Sequence, residues 1–114
     1  MRKYLDIPLT LIVTAVLTLA MLWPISQPPL APDGTDKIVH LIAFAALAFP
    51  LAYTGRIGLI PVFIGASIFG GLMEVIQPSF GRSADMQDLI ADIAGAGLGI
   101  VLALIYRRLR KHRV

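Results

Sequence analysis

The segment at residues 85–106, DMQDLIADIAGAGLGIVLALIY, decides the fold class of this chain. No charged residue follows Asp92 within it, and a helix of about 20 predominantly apolar residues is long enough to cross a bilayer. Asp85, Asp88 and Asp92 are spaced i, i+3 and i+7, which places them on one face of such a helix. The segment therefore predicts a membrane-spanning helix with an acidic stripe at its beginning.

Three more apolar segments precede this one, and the whole chain has the composition of a membrane protein. Of its 114 residues, 57% are hydrophobic and 15% are charged, whereas roughly a quarter of the residues in soluble domains are charged. A large soluble domain is excluded, and the lack of cysteine excludes disulfides and thiolate metal sites. We predict an all-α integral membrane protein with one domain over residues 1–114, folded as a four-transmembrane-helix bundle with spans near residues 7–23, 37–53, 57–77 and 85–106.

The distribution of charge predicts which side of the membrane each end faces. The two termini and the turn at Arg56 hold eight of the ten Lys and Arg residues, and the positive-inside rule places these regions in the cytoplasm. Six of the seven acidic residues then lie at the opposite, outer boundary. We expect a multi-pass protein of the bacterial cytoplasmic (inner) membrane with cytoplasmic N and C termini. The basic residues gather at the chain ends, which suits lipid headgroups, and we expect no nucleic-acid partner.

The outer boundary collects nearly all of the unusual polar residues. His40 follows Asp36 by four residues in the second segment, and Gln77 follows Glu74 by three residues in the third. Ionisable groups within spanning helices are energetically costly, so they usually face partners, water or a site. The candidate ligand-binding residues are Asp36, Lys37, His40, Glu74, Gln77, Arg82, Asp85, Asp88 and Asp92.

Several of these residues also have a purely structural interpretation. Asp36 and Asp85 lie where they could cap the second and fourth helices. His40 is either an interior histidine or, beside carboxylates, a proton carrier or metal ligand. One histidine with several carboxylates suits a hard divalent cation better than zinc, and we assign no other cofactor. Gly95 and Gly99 form a small-xxx-small pair, which predicts close packing of the fourth helix on a neighbour.

Together, these residues resemble the pattern of the VanZ-like family of small bacterial membrane proteins over most of the chain. The resemblance rests on Phe44 and on four motifs, which are Asp36-Lys37-x-x-His40, Glu74-x-x-Gln77, Arg82-Ser83-x-Asp85-x-x-Asp88, and Gly95 with Gly99. The family is named after a protein that confers low-level resistance to the glycopeptide teicoplanin, so the resemblance implies a role in cell-envelope chemistry at the outer leaflet. The chain departs from the family pattern at Asp92, where that pattern has asparagine. We expect Asp92 either to pair with Arg82 or Lys37 or to be kept protonated by burial.

Two functional hypotheses follow, and they leave open whether the chain is an enzyme. In the first, an outer-face polar pocket, open to the lipid or completed in a homo-oligomer, binds a lipid or a lipid-linked headgroup. If a reaction takes place there, the candidate groups are Glu74 or Asp88 as base and His40 as proton carrier, with a divalent cation between phosphate and carboxylates. In the alternative, the chain is a non-enzymatic accessory or assembly subunit of a larger membrane protein complex, and its polar residues only join the helices.

Overall fold

The computed structural model describes residues 4–23, 35–81 and 85–111, which form four α-helices and one short 3-10 helix. Helix α1 spans Asp6–Leu22, α2 spans Thr35–Thr54, α3 spans Leu59–Ile76 and α4 spans Met86–Lys111, and the 3-10 helix at Gln77–Phe80 directly follows α3. These three stretches of chain contain no β-strand. The predicted all-helical fold is confirmed.

Three of the helices, α2, α3 and α4, are long and apolar enough to cross a membrane. Helix α1 is apolar but shorter, with 17 residues, or about 25 Å at 1.5 Å per residue. The predicted bounds hold to within two residues, except that α4 continues five residues past Tyr106. Helix α3 begins at Leu59, two residues late, because Gly58 has a φ of 93°, which lies outside the right-handed helical region.

Contacts at the helix ends establish the direction of each helix. Lys37 at the start of α2 pairs with Asp85 just before α4, so α2 and α4 run parallel. Gln77 after α3 bonds to Met21 at the end of α1, so these two helices end together. We call the end where α2 and α4 begin the acidic end, and the end where they finish the basic end. The charge distribution predicts that the acidic end faces outward.

Helices α2 and α4 form the most extensive helix pair of the bundle. An added Cβ at Gly95 would lie 2.3 Å from the Leu41 carbonyl oxygen, and one at Gly99 would lie 2.4 Å from that of Ala45. The two backbones therefore approach more closely than any side chain at these positions allows. Lipid tails are as apolar as leucine, so van der Waals packing of this kind is what holds membrane helices together. Gly95 and Gly99, the pair predicted to pack on a neighbour, thus both face the α2 backbone.

Arginine side chains of α4 close the basic end of the bundle. Arg110 donates a hydrogen bond to the Tyr53 hydroxyl, and its guanidinium lies 5.9 Å from the centre of the Tyr53 ring. Arg107 reaches the carbonyl oxygen of Ala52, near the negative end of the α2 dipole, at 3.5 Å. Both side chains contact the last turn of α2, which accounts for the continuation of α4 beyond its predicted end.

A buried ion pair joins the start of α1 to the turn between α2 and α3. The Asp6 carboxylate is fully buried and accepts hydrogen bonds from Arg56 Nε at 2.8 Å and from Thr54 Oγ1 at 2.7 Å. The hydrogen bond from Arg56, then that from Thr54, lowers the pKa of Asp6 to about 2. The charge distribution predicted the topology but not this contact between Asp6 and Arg56. The one feature of the sequence that indicates this contact is that Asp6 is the only acidic residue at the basic end.

Replacing Asp6 with alanine should lower the melting temperature of the protein in detergent, because Arg56 and Thr54 lose their common acceptor. The double variant Asp6→Ala, Arg56→Ala should melt above the temperature expected by adding the two single effects. With a folded pKa near 2, below the usual 3.8, the carboxylate stabilises the fold at neutral pH, and this stabilisation is lost only as the pH falls from about 4 toward 2. Additive single effects would show that the pair does not form.

Candidate functional site

Six polar side chains, from α2, α3, α4 and the residue before α4, lie close to one another at the acidic end. We call this group the polar cluster, and it consists of Lys37, His40, Glu74, Asp85, Asp88 and Asp92. The parallel direction of α2 and α4 brings the first turns of both helices to the same level. Successive turns of α2 therefore face successive turns of α4.

Lys37 occupies the outermost level of the polar cluster. Its ammonium donates to Asp85 Oδ2 at 2.7 Å and also to Asp88 Oδ1. Asp85 and Asp88 are three residues apart, so both carboxylates face the same side of the chain and hold one cation between them. Charge-assisted hydrogen bonds of this kind are about twice as strong as neutral ones.

His40 lies one turn deeper, between two aspartates of α4. Its Nδ1 is 2.7 Å from Asp92 Oδ1, and its Nε2 is 3.8 Å from Asp88 Oδ2. Asp92 is fully buried. The expectation that Asp92 pairs with Lys37 is wrong, because Asp92 lies level with His40 and one turn below the lysine. Its other predicted partner, Arg82, lies outside the described residues.

Glu74 reaches the polar cluster from α3. Its Oε2 accepts a hydrogen bond of 2.7 Å from the backbone N–H of Asp85. Asp85 in turn accepts, through Oδ1, a hydrogen bond of 2.9 Å from the backbone N–H of Gln87, which is the usual geometry of a helix N-cap. Asp85 therefore both caps α4 and binds Lys37.

Two of the predicted ligand-binding residues cannot be placed in the polar cluster, and a third makes a different contact. Arg82 lies outside the described residues, and Asp36 is described only as part of the α2 backbone. Gln77 is buried and donates from Nε2 to the Met21 carbonyl at 3.2 Å. Among the residues described, Gln77 makes no hydrogen bond to the polar cluster, and its observed contact joins the ends of α1 and α3.

Two buried carboxylate oxygens of the polar cluster have an unused hydrogen-bonding capacity. Glu74 Oε1 and Asp92 Oδ2 accept no hydrogen bond from any residue that the structure describes. Asp92 faces Gly70 of α3, where an added Cβ would lie 3.1 Å from Asp92 Oδ2 and 3.4 Å from the Phe44 ring. Gly70 thus provides the space that Asp92 occupies in the core. Buried acceptors without donors are uncommon in folded proteins and often mark sites of function.

The polar cluster contains the elements of a proton-accepting site. In a neutral imidazole, a carboxylate bonded to Nδ1 favours the proton on that nitrogen and leaves Nε2 as an acceptor, as in the orienting pair of many general-base sites. Asp85 and Asp88 bind Lys37, Asp92 binds His40, and Glu74 accepts a hydrogen bond from the backbone N–H of Asp85. Among the described residues, no three His, Asp or Glu side chains are grouped so that they could hold a metal ion.

A family model described as VanZ/LLP1 matches residues 4–107. The chain belongs to the VanZ-like family. The match covers α1, α2, α3 and α4 as far as Arg107, so every residue of the polar cluster lies within it. No curated protein and no solved structure matches this VanZ-like chain significantly.

The VanZ-like chain also has an apolar groove toward its basic end. This groove has a volume of about 220 Å³ and lies between α1, α2 and α3, where Thr10, Leu51, Pro61 and Gly65 are among its lining residues. It is separate from the polar cluster, none of whose residues line it. Phe69 links the two regions, because it lines the groove and packs against Phe44 with 5.8 Å between ring centres.

Proposed function

We propose that this VanZ-like protein binds a lipid or a lipid-linked headgroup at the polar cluster, in the outer leaflet of the bacterial inner membrane. The observation that carries the proposal is the grouping of four carboxylates, one lysine and one histidine at one end of an apolar bundle. Three of the carboxylates, those of Glu74, Asp88 and Asp92, are buried, and two carboxylate oxygens are unused by any described residue. Membrane helices rarely carry such groups except where they pair with each other or mark a site. Family membership connects the proposal with resistance to teicoplanin, which acts on the cell envelope.

The position of the polar cluster along the helices supports a headgroup ligand. Its residues lie in the first two turns of α2 and α4, in the last turn of α3 and, for Asp85, immediately before α4. The remaining parts of these helices have apolar outer faces, with Ile60, Ile64 and Ile68 of α3 each at least half exposed. These faces suit lipid tails, and a ligand at the cluster would then lie at headgroup depth.

An accessory role in a larger complex is the second candidate, and the pairing within the cluster favours it. Lys37 and His40 both bind carboxylates of α4, and Gln77 binds the backbone of α1. Such contacts join helices in membrane proteins without any ligand. In this case the polar residues stabilise the bundle, and the apolar surface docks on a partner protein.

Replacing Asp88 with asparagine, or Glu74 with glutamine, should release a specifically bound lipid while the protein still inserts and folds. Both changes keep the size of the side chain and remove its charge, so the loss of a charge-assisted contact should weaken binding about tenfold. Native mass spectrometry of protein extracted with its own lipids measures this loss. Gly71→Ala is the matched control, because an added Cβ there has nothing within 4 Å. Equal lipid retention in all four proteins would contradict the proposal.

A further inference from the structure

The polar cluster contains more carboxylates than cations. Among the residues that the structure describes, four carboxylates face one lysine and one histidine, and the lysine is already held between Asp85 and Asp88. The two other carboxylates, those of Asp92 and Glu74, therefore add negative charge around His40. Neighbouring like charges repel strongly in a medium of low dielectric constant. The cluster should therefore attract a cation and disfavour a phosphate.

One hydrogen-bond donor could contact both His40 Nε2 and Asp88 Oδ2. His40 Nε2 and Asp88 Oδ2 are 3.8 Å apart, too far for a direct hydrogen bond. When the imidazole is neutral and Nδ1 donates to Asp92, the Nε2 lone pair is an acceptor, and so is the carboxylate oxygen opposite. A donor about 2.8 Å from both atoms would subtend an angle of roughly 85°, which a group with two or more N–H bonds can satisfy.

The site is mostly buried, but a small part of it remains accessible to a ligand. The His40 and Asp88 side chains are each 12% exposed. Glu74, nine-tenths buried, lies within electrostatic range of both, and its Oε1 has no donor among the described residues. A primary ammonium supplies three N–H donors together with a positive charge. It therefore matches the spare acceptors and the excess negative charge at once, whereas a quaternary ammonium supplies only the charge.

We propose that the polar cluster recognises the primary ammonium group of a lipid headgroup, with His40 Nε2 and Asp88 Oδ2 as its acceptors. Asp92 is a positioning residue, since it holds the histidine ring through Nδ1. Glu74 completes the anionic wall on the side of α3. This inference rests on the proposed function, since it names the headgroup chemistry that the same site accepts.

The test is a titration of the purified full-length protein with three phospholipids of identical acyl chains, followed by native mass spectrometry. Phosphatidylethanolamine carries a primary ammonium, phosphatidylcholine carries the same charge without N–H donors, and phosphatidylglycerol carries no cation. Wild-type protein should bind phosphatidylethanolamine about tenfold more tightly than the other two. Asp88→Asn should reduce this preference to threefold or less, and Gly71→Ala should leave it unchanged.

The outcomes separate this inference from the proposed function. Equal affinity of the wild type for the ethanolamine and choline lipids, lost in Asp88→Asn, overturns ammonium recognition through N–H donors and keeps headgroup binding at the cluster. A wild-type preference for phosphatidylglycerol that Asp88→Asn removes would also overturn ammonium recognition and keep headgroup binding at the cluster. Equal binding of all three lipids by the wild type and by Asp88→Asn overturns both. The comparison of lipids on the wild type needs no variant, so a folding defect in Asp88→Asn leaves the test intact.

Discussion

Gly95→Ala should destabilise the bundle more than Gly97→Ala. Among alanine substitutions at the glycines of α4, only Gly99→Ala should have a comparable effect. The new Cβ would lie 2.3 Å from the Leu41 carbonyl oxygen and 3.0 Å from two further backbone atoms of Leu41. Backbone atoms cannot move aside as a flexible side chain can, so α2 and α4 must separate. Overpacking of this kind costs about 1–3 kcal/mol in the free energy of unfolding. The polar cluster lies across the same helix pair, so lipid binding should weaken as well.

Gly97→Ala is the matched control for this prediction. Its added Cβ would lie 3.7 Å from the Phe63 ring, which is an ordinary contact. Alanine also forms helix better than glycine by about 1 kcal/mol, so Gly97→Ala should be neutral or stabilising. Thermal unfolding in detergent, monitored by the circular dichroism signal of the helices, measures the stability of both variants. If Gly95→Ala melts at the same temperature as Gly97→Ala, the close approach of α2 and α4 is wrong.

Asp92→Leu should produce the second large effect, because it leaves His40 Nδ1 without its acceptor inside the bundle. A buried donor that loses its partner costs about 1–3 kcal/mol. Asp92→Asn keeps a carbonyl oxygen at the position of Oδ1, so it should remain close to the wild type in stability. Because it differs from the wild type only in replacing the carboxylate with an amide of similar size, Asp92→Asn is the appropriate conservative variant.

The nitrogen chemical shifts of His40 provide a readout that stability alone does not. In the wild type, the proton should reside on Nδ1, opposite Asp92 Oδ1 at 2.7 Å, with Nε2 free to accept. Asp92→Asn should keep this tautomer, and Asp92→Leu should lose it together with the preference for an ammonium lipid. Equal stability and an unchanged tautomer in Asp92→Leu would show that Asp92 does not position the histidine.

The helices and their close packing were predictable from the sequence because both follow from local patterns. Apolar length determines the spans, and the Gly95 and Gly99 pair indicates a helix–helix contact without needing a known partner. The gathering of polar residues at one end was predictable in the same way. Three helix ends carry them, and alternating helix directions bring those ends to one level.

The pairing inside the polar cluster was not predictable, because it depends on how each helix is rotated and shifted along its axis. Spacing alone does not distinguish Lys37 from His40 as the partner of Asp92, since the two differ by one turn of α2. The Asp6–Arg56 pair and the bond from Gln77 to Met21 depend on where α1 lies beside the other helices. Those contacts join residues about 50 positions apart in the chain, beyond the reach of a periodicity argument.

Native mass spectrometry of the wild-type protein, extracted together with its own membrane lipids, tests the central claim most directly. We predict a phospholipid or lipid-linked species bound in stoichiometric amount and released by the single change Asp88→Asn. A stoichiometric protein partner retained by both the wild type and Asp88→Asn, with no selectively bound lipid, would contradict the claim and identify the chain as an accessory subunit.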